Sequence, residues 1–181
     1  GRVRPEQIGR TVEGRPIWAF HIRDPGSPVE RSVLITAQIH SLEWVGAEVA
    51  TRLILEQAVR PEPGVAVTVI PVLNVDGRVR VESDLKAGRN LYRRANAHKV
   101  DLNRDFAELR EATAWWRHLL PGYYSTSPAP LSQPETQALA DLDETPHPEA
   151  KIGLKSISAK KPPKFSSSAR NSGSRNRRRS G

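Results

Sequence analysis

Two apolar runs on either side of a helical repeat limit the possible folds more than any other feature of this sequence. Val33–Ile39 (VLITAQI) and Val65–Leu73 (VAVTVIPVL) are rich in β-branched residues and lack polar alternation, which is typical of buried strands. Between them Val45, Val49 and Leu53 recur at four-residue steps, with Ala50, Ile54 and Ala58 beside them, and these residues indicate one face of a helix. The strand–helix–strand order predicts an α/β fold with parallel central strands.

The other elements are predicted from shorter patterns. Ile17–Arg23 (IWAFHIR) suits a strand, and Phe106–Leu119 suits a helix. A cap, a proline and good helix formers from Ser132 onward (SQPETQALADL) predict a second helix start. The polar segment Asn74–Asn103 is predicted to be a long loop region, which is a common place for functional groups when it follows a buried strand.

Charge is distributed unevenly along the chain. All 20 acidic residues and 18 of the 28 Lys and Arg residues lie in residues 1–150, and the other 10 basic residues lie in residues 151–181. We therefore predict a folded body over residues 1–142 and a basic, disordered tail over residues 143–181. The net charge of +8 belongs to that tail, so nucleic acid is not an expected partner of the folded body and could bind only through the tail. No apolar run is long enough to predict a membrane span.

A candidate metal site follows the first apolar run. The chain has no cysteine, so any metal must be held by His, Asp or Glu side chains. His40 and Glu43, in the segment HSLEW, are three residues apart and stand where α/β proteins gather their sites. An imidazole and a carboxylate at this spacing can converge on one zinc ion. Alone, such a pair is more often a surface His beside a solvated Glu.

Further on, arginines stand next to hydrogen-bonding side chains. Arg93 lies in NLYRRANA, and Asn103 and Arg104 lie in VDLNRDF. A guanidinium offers a fork of donors that matches a carboxylate or an oxyanion. The sequence NVDGR at residues 74–78 indicates a turn with a structural role, in which Gly77 is free to adopt positive φ.

Five segments occur in an order that resembles the zinc carboxypeptidases, including bacterial murein-peptide amidases. They are IGRTVEGRPI at 8–17, HSLEW at 40–44, NVDGR at 74–78, VDLNRDF at 100–106 and LSQPETQAL at 131–139. The resemblance implies a mixed, largely parallel central sheet with flanking helices, incomplete in this chain. It also implies that residues 1–142 form part of a zinc-dependent catalytic domain acting on peptide or murein-peptide substrates.

The resemblance assigns a role to each candidate residue. His40 and Glu43 match the first two zinc ligands, Arg93 resembles the oxyanion-stabilising arginine, and Asn103 with Arg104 resembles the pair that holds the substrate's terminal carboxylate. The chain departs from the family pattern at Val75, where proline is usual, and at Lys99, where glycine is frequent. Neither departure removes a functional side chain.

The third zinc-binding His and the late catalytic Glu of the family have no match in this sequence. His147 is the only His after Glu135, and no acidic residue follows Glu149. We therefore expect a metallocarboxypeptidase-type hydrolase of peptide or amide bonds near a free carboxylate that is inactive as this truncated chain. Two alternatives stay open: a zinc deacylase of the aspartoacylase or succinylglutamate-desuccinylase type, and a non-catalytic protein whose basic tail binds nucleic acid.

Overall fold

A computed structural model describes residues 2–107 and 125–144. These residues form one four-stranded sheet with helices beside it. In chain order the elements are β1 (Val3–Arg10), β2 (Pro16–Ile22), β3 (Arg31–Thr36), α1 (Trp44–Val59), β4 (Val65–Ile70), α2 (Val75–Lys86), a short 3-10 helix (Leu102–Arg104) and α3 (Pro134–Glu144). No helix within these ranges is long and apolar enough to cross a membrane.

The sheet is mixed, with the strand order β1-β2-β4-β3. β1 and β2 form an antiparallel hairpin whose turn is closed by Gly14 at φ 80°. β2 pairs antiparallel with β4, whereas β3 pairs parallel with β4 through the α1 crossover. The predicted α/β class with a mixed sheet and flanking helices is therefore confirmed, and one of the three pairings among the described strands is parallel.

Two apolar clusters hold the helices to the sheet. One joins β2, β3 and β4 to α3 and the 3-10 helix, and its fully buried members include Ile17, Ile70, Leu73 and Leu102. The other joins β2 and β4 to α1 around Ala50. Because α3 packs in the first cluster, the LSQPETQAL segment lies against the sheet although it is far away in the sequence.

Helix α1 forms where the four-residue repeat predicts a helix, and Leu53 and Ile54 of the predicted face pack against the second cluster. Its buried residues are Gly46, Ala47 and Ala50, whereas Val45 and Val49 are exposed. The prediction that these two valines mark the packed face is wrong for the described residues. In the first half of the helix small residues face the sheet because they let the helix approach it closely, so the packed face there is turned away from the two valines.

Helix α2 lies inside the segment that was predicted to be a loop. Asn74 caps it by accepting a hydrogen bond from the Gly77 amide. Gly77 does not adopt positive φ, so that expectation is wrong. Glycine is needed there for space, because a Cβ would lie 2.0 Å from Ser41 Oγ. Most of the predicted helix Phe106–Leu119 and nearly all of the predicted tail 143–181 lie outside the described residues.

Candidate metal centre

The candidate site lies where the parallel strands β3 and β4 end. The chain leaving β3 stays paired with the chain leaving β4, through bonds from Ala37 N to Ile70 O and from Asn74 N to Gln38 O. Gln38 adopts φ 49°, which is uncommon for a residue with a side chain. Its buried amide donates to Ser41 O at 2.9 Å and accepts from Arg78. These bonds hold the reversal that directs His40 into the site.

His40 lies between two carboxylates. Its Nδ1 is 2.8 Å from Glu43 Oε1, and its Nε2 is 3.0 Å from Asp101 Oδ1. The ring is almost fully buried, with 5% of the side chain exposed, whereas the Glu43 side chain keeps 28% exposure. The pair that the spacing in HSLEW predicts to converge is therefore in contact, and the Glu43 side of the ring is the one open to solvent.

Asp101 fixes the other side of the ring. Its carboxylate is completely buried, and it also accepts a hydrogen bond from Asn103 N at 3.1 Å and one from Arg94 Nε at 2.9 Å. Arg94 reaches across to within 3.9 Å of Glu43 Oε1 through Nη1. Neither Asp101 nor Arg94 was assigned a role from the sequence. The contact between Asp101 and His40 spans 61 positions, so the sequence does not show it. The one sequence feature that points to Asp101 is its place between the apolar residues Val100 and Leu102.

The electrostatics of the cluster favour its charged forms. Burial alone lowers the pKa of His40, but hydrogen bonds with Asp101 and Glu43 outweigh burial and leave that pKa above its ordinary value. Burial alone raises the pKa of Asp101, but the hydrogen bond with His40 and the charge of Arg94 hold it below its ordinary value. Asp101 therefore stays a carboxylate and remains an acceptor for the His40 ring.

Arg93 is held by a different acid from its neighbour. Its Nε forms a short hydrogen bond with Asp84 Oδ2, and the buried Asp84 carboxylate on α2 also accepts from Arg89 Nη2 at 2.9 Å. The structure thus directs Arg93 to α2 and Arg94 to Asp101 and Glu43. The oxyanion role of Arg93 stays a prediction.

Asn103 and Arg104 lie in the 3-10 helix that Asp101 caps. Asn103 is exposed, and Arg104 Nη1 donates to Asn103 O at 3.0 Å. Arg104 Nε is buried and has no hydrogen-bond partner among the residues that the structure describes. The segment therefore lies next to the His40 cluster in space and has donor capacity left for a ligand.

A family profile describing zinc carboxypeptidases matches residues 1–160. The chain belongs to the zinc carboxypeptidase family. This family is one of metallocarboxypeptidase hydrolases, so the sequence resemblance to it is confirmed.

Named relatives and a solved structure agree with this family. The chain is 23% identical to carboxypeptidase O of Bos taurus over 76% of this chain and 40% of that protein. It is 25% identical to the uncharacterized protein YqgT of Bacillus subtilis over 84% of this chain and 48% of that protein. The carboxypeptidase A structure from Helicoverpa armigera superposes with a TM-score of 0.59 at 23% identity, covering 77% of this chain and 37% of that one, which supports the fold. The chain spans about half or less of the length of these relatives.

The donor set can be compared with what the family's zinc requires. Two donors on one tetrahedral zinc, each about 2.0–2.2 Å from it, lie roughly 3.4 Å apart, so the 2.8 Å His40–Glu43 contact would have to widen to about that distance to admit the ion. Asp101 behind Nε2 leaves Nδ1 as the ring nitrogen for the metal. Within residues 2–107 and 125–144 no three His, Asp or Glu side chains form a group able to hold a metal. The described residues thus fit two zinc ligands.

Proposed function

We propose that this chain carries the first two ligands and the carboxylate-binding segment of a zinc-dependent hydrolase that cleaves peptide or amide bonds near a free carboxylate. The observation that carries the proposal is the contact between His40 Nδ1 and Glu43 Oε1, with Asp101 behind Nε2. A zinc ion bound there supplies a Lewis acid for the scissile carbonyl and lowers the pKa of a bound water. The peptide substrates of the family, including murein peptides, are the proposed substrate class.

In this proposal the protein's own residues bind and orient. Arg104 with Asn103 holds the terminal carboxylate, supported by the buried Arg104 Nε, which has no partner in the described part of the chain, and by the exposure of Asn103. Arg93 would donate to the oxyanion that develops on the carbonyl, from a guanidinium whose Nε is bonded to Asp84. Asp101 keeps the His40 ring oriented with Nδ1 toward the open side.

Zinc titration tests the ligand assignment. Catalytic zinc sites use three protein ligands, so a pair is expected to bind zinc weakly and to give no turnover in this chain. Isothermal titration of the 181-residue chain should show one weak site that His40→Ala and Glu43→Gln each remove. His98→Ala and Glu48→Gln are the matched controls, because both residues are exposed, and both should leave the titration unchanged.

Two results would count against this assignment. Zinc binding that survives His40→Ala would place the site elsewhere, and a wild-type chain that binds no zinc at millimolar concentration would leave the pair without a metal role. Tight stoichiometric binding with peptidase activity would support the ligands but would refute the expectation of an inactive chain.

Carboxylate recognition can be tested without turnover. A short peptide with a free C-terminal carboxylate should shift the Arg104 side-chain NMR signals, and the same peptide with an amidated C-terminus should not. Arg104→Gln should abolish binding, whereas Arg52→Gln on the exposed side of α1 should not change it. Equal binding of the acid and the amide would refute the anchoring role.

A further inference from the structure

Arg94 links the two carboxylates on either side of the His40 ring. Its Nε donates to Asp101 Oδ2 at 2.9 Å, and its Nη1 lies 3.9 Å from Glu43 Oε1. Only 14% of the Arg94 side chain is exposed, and the Asp101 side chain is fully buried. The Arg94 guanidinium is therefore part of the largely buried cluster around His40.

The two oxygens of Asp101 are used by different partners. Oδ1 faces His40 Nε2, whereas Oδ2 faces Arg94 Nε. A carboxylate is planar, so a donor that holds Oδ2 also fixes the direction in which Oδ1 points. The guanidinium is rigid and always charged, which makes it suited to this task and stabilises an anion that burial would otherwise destabilise.

We propose that Arg94 is a positioning residue that acts through Asp101: it orients the Asp101 carboxylate, which in turn sets the His40 ring so that Nδ1 faces the metal beside Glu43. Its part in metal binding rests on the function proposed above, whereas its effect on the ring does not. Arg93, one residue earlier, pairs with Asp84 on α2, so the two adjacent arginines serve different acids.

A direct role in stabilising an oxyanion would have other consequences. A residue that contacts only the reacting carbonyl would leave zinc affinity and the metal-free His40 ring unchanged. A positioning residue changes both, and its effect disappears once Asp101 can no longer transmit it. A double-mutant cycle on metal affinity separates these cases.

The test measures zinc affinity of the 181-residue chain in wild type, Arg94→Gln, Asp101→Asn and the double variant. Partners behind a metal-bound His typically contribute about 10–100-fold in affinity, so Asp101→Asn should weaken binding by at least about tenfold. Arg94→Gln should weaken it by about tenfold, with little further loss in the Asp101→Asn background, and Arg94→Lys should restore part of it. Arg89→Gln is the matched control, because Arg89 also pairs with a buried aspartate, Asp84.

The metal-free protein gives a second measurement that needs no zinc. The buried Nε2–H of His40, hydrogen-bonded to Asp101, should give a slowly exchanging imidazole proton signal by NMR. Arg94→Gln should shift it and speed its exchange, and Arg89→Gln should not.

The outcomes separate the two proposals. If wild type binds zinc through His40 and Glu43 but Arg94→Gln alters neither the affinity nor the His40 signal, the positioning role is refuted and the proposed function stands. If zinc does not bind but the His40 signal responds to Arg94→Gln, the proposed function fails and the positioning of the ring is supported. Additive losses in the cycle would show that Arg94 does not act through Asp101.

Discussion

Asp105 is the residue at which the structure most clearly predicts how a substitution changes the free energy of unfolding. It is completely buried, and its carboxylate accepts four hydrogen bonds. Oδ1 accepts from the hydroxyls of Ser127 and Ser132, and Oδ2 accepts from Gln133 N and from the Thr136 hydroxyl. All four donors lie in or just before α3, so this side chain joins α3 and its preceding loop to the 3-10 helix that carries Asn103 and Arg104.

Asp105→Asn keeps the shape but removes one acceptor and the charge. The backbone N–H of Gln133 can only donate, so the Asn oxygen should face Gln133 and Thr136. The Asn NH2 group should then face the two serines, whose hydroxyls can rotate to accept. Hydrogen bonds to a charged group contribute about 1.5–3 kcal/mol each and neutral ones about 0.5–1.5. Losing about 1 kcal/mol in each of four bonds, partly offset by not burying a charge, predicts a loss of about 2–4 kcal/mol in the free energy of unfolding.

Urea denaturation followed by tryptophan fluorescence measures this loss. Asp24→Asn is the control, because Asp24 also accepts from a serine hydroxyl and a backbone amide but lies at the surface, and its midpoint should stay close to that of wild type.

Burial alone raises the pKa of Asp105, but its hydrogen bonds outweigh burial and hold that pKa below its ordinary value of 3.8.

The pH dependence provides an independent check on Asp105. Because its pKa is depressed in the folded state, its contribution is present above the ordinary pKa and is lost as pH falls through the folded pKa. The gap between wild type and Asp105→Asn should therefore narrow below about pH 4. A loss under about 0.5 kcal/mol at pH 7, or a gap that does not change with pH, would refute the reasoning.

Three further variants test the surroundings of the site. Gly77→Ala should destabilise by about 1–3 kcal/mol in urea, because the new Cβ would lie 2.0 Å from Ser41 Oγ; a gain, as for an exposed helical glycine, would contradict this. Gln38→Gly should be more stable than Gln38→Ala by about 1 kcal/mol, because both lose the same side chain but only glycine tolerates φ 49°; equal melting temperatures would be inconsistent with it. Burial, with a smaller contribution from the charge of Asp76, raises the pKa of Glu135. Wild type should therefore lose stability as pH rises above 4.5 toward neutral, and Glu135→Gln should lack that slope; identical slopes would refute the assignment.

Elements with a strong apolar period were predictable, and those held by tertiary contacts were not. β2, β3, β4, α1 and α3 follow patterns that are visible in the sequence. β1 (VRPEQIGR) is polar and contains a proline, and it forms because it can pair with β2 at the edge of the sheet. Helix α2 contains three valines and a glycine, which are weak helix formers. It forms because Asn74 caps it and because its first turn packs against Ser41.

The residues of the site also divide into some that the sequence predicts and some that only tertiary contacts bring together. The spacing in HSLEW was enough to bring His40 and Glu43 together, because a reversal after a strand places residues three apart side by side. Asp101 and Arg94 belong to the cluster only because a loop more than 50 positions away returns to the ends of β3 and β4. Sequence order cannot show such a contact.

One carboxylate connects the two halves of the proposed chemistry. Asp101 Oδ1 accepts from His40 Nε2 at 3.0 Å and from Asn103 N at 3.1 Å, so the same oxygen contacts the proposed zinc ligand and caps the 3-10 helix that bears the proposed carboxylate anchor. The distance between a bound metal and a bound substrate carboxylate is then set by a buried, charge-stabilised group and not by flexible loops. Because Arg94 holds the other oxygen of that group, the proposed spacing between metal ligand and anchor would depend on a residue that needs to contact neither metal nor substrate.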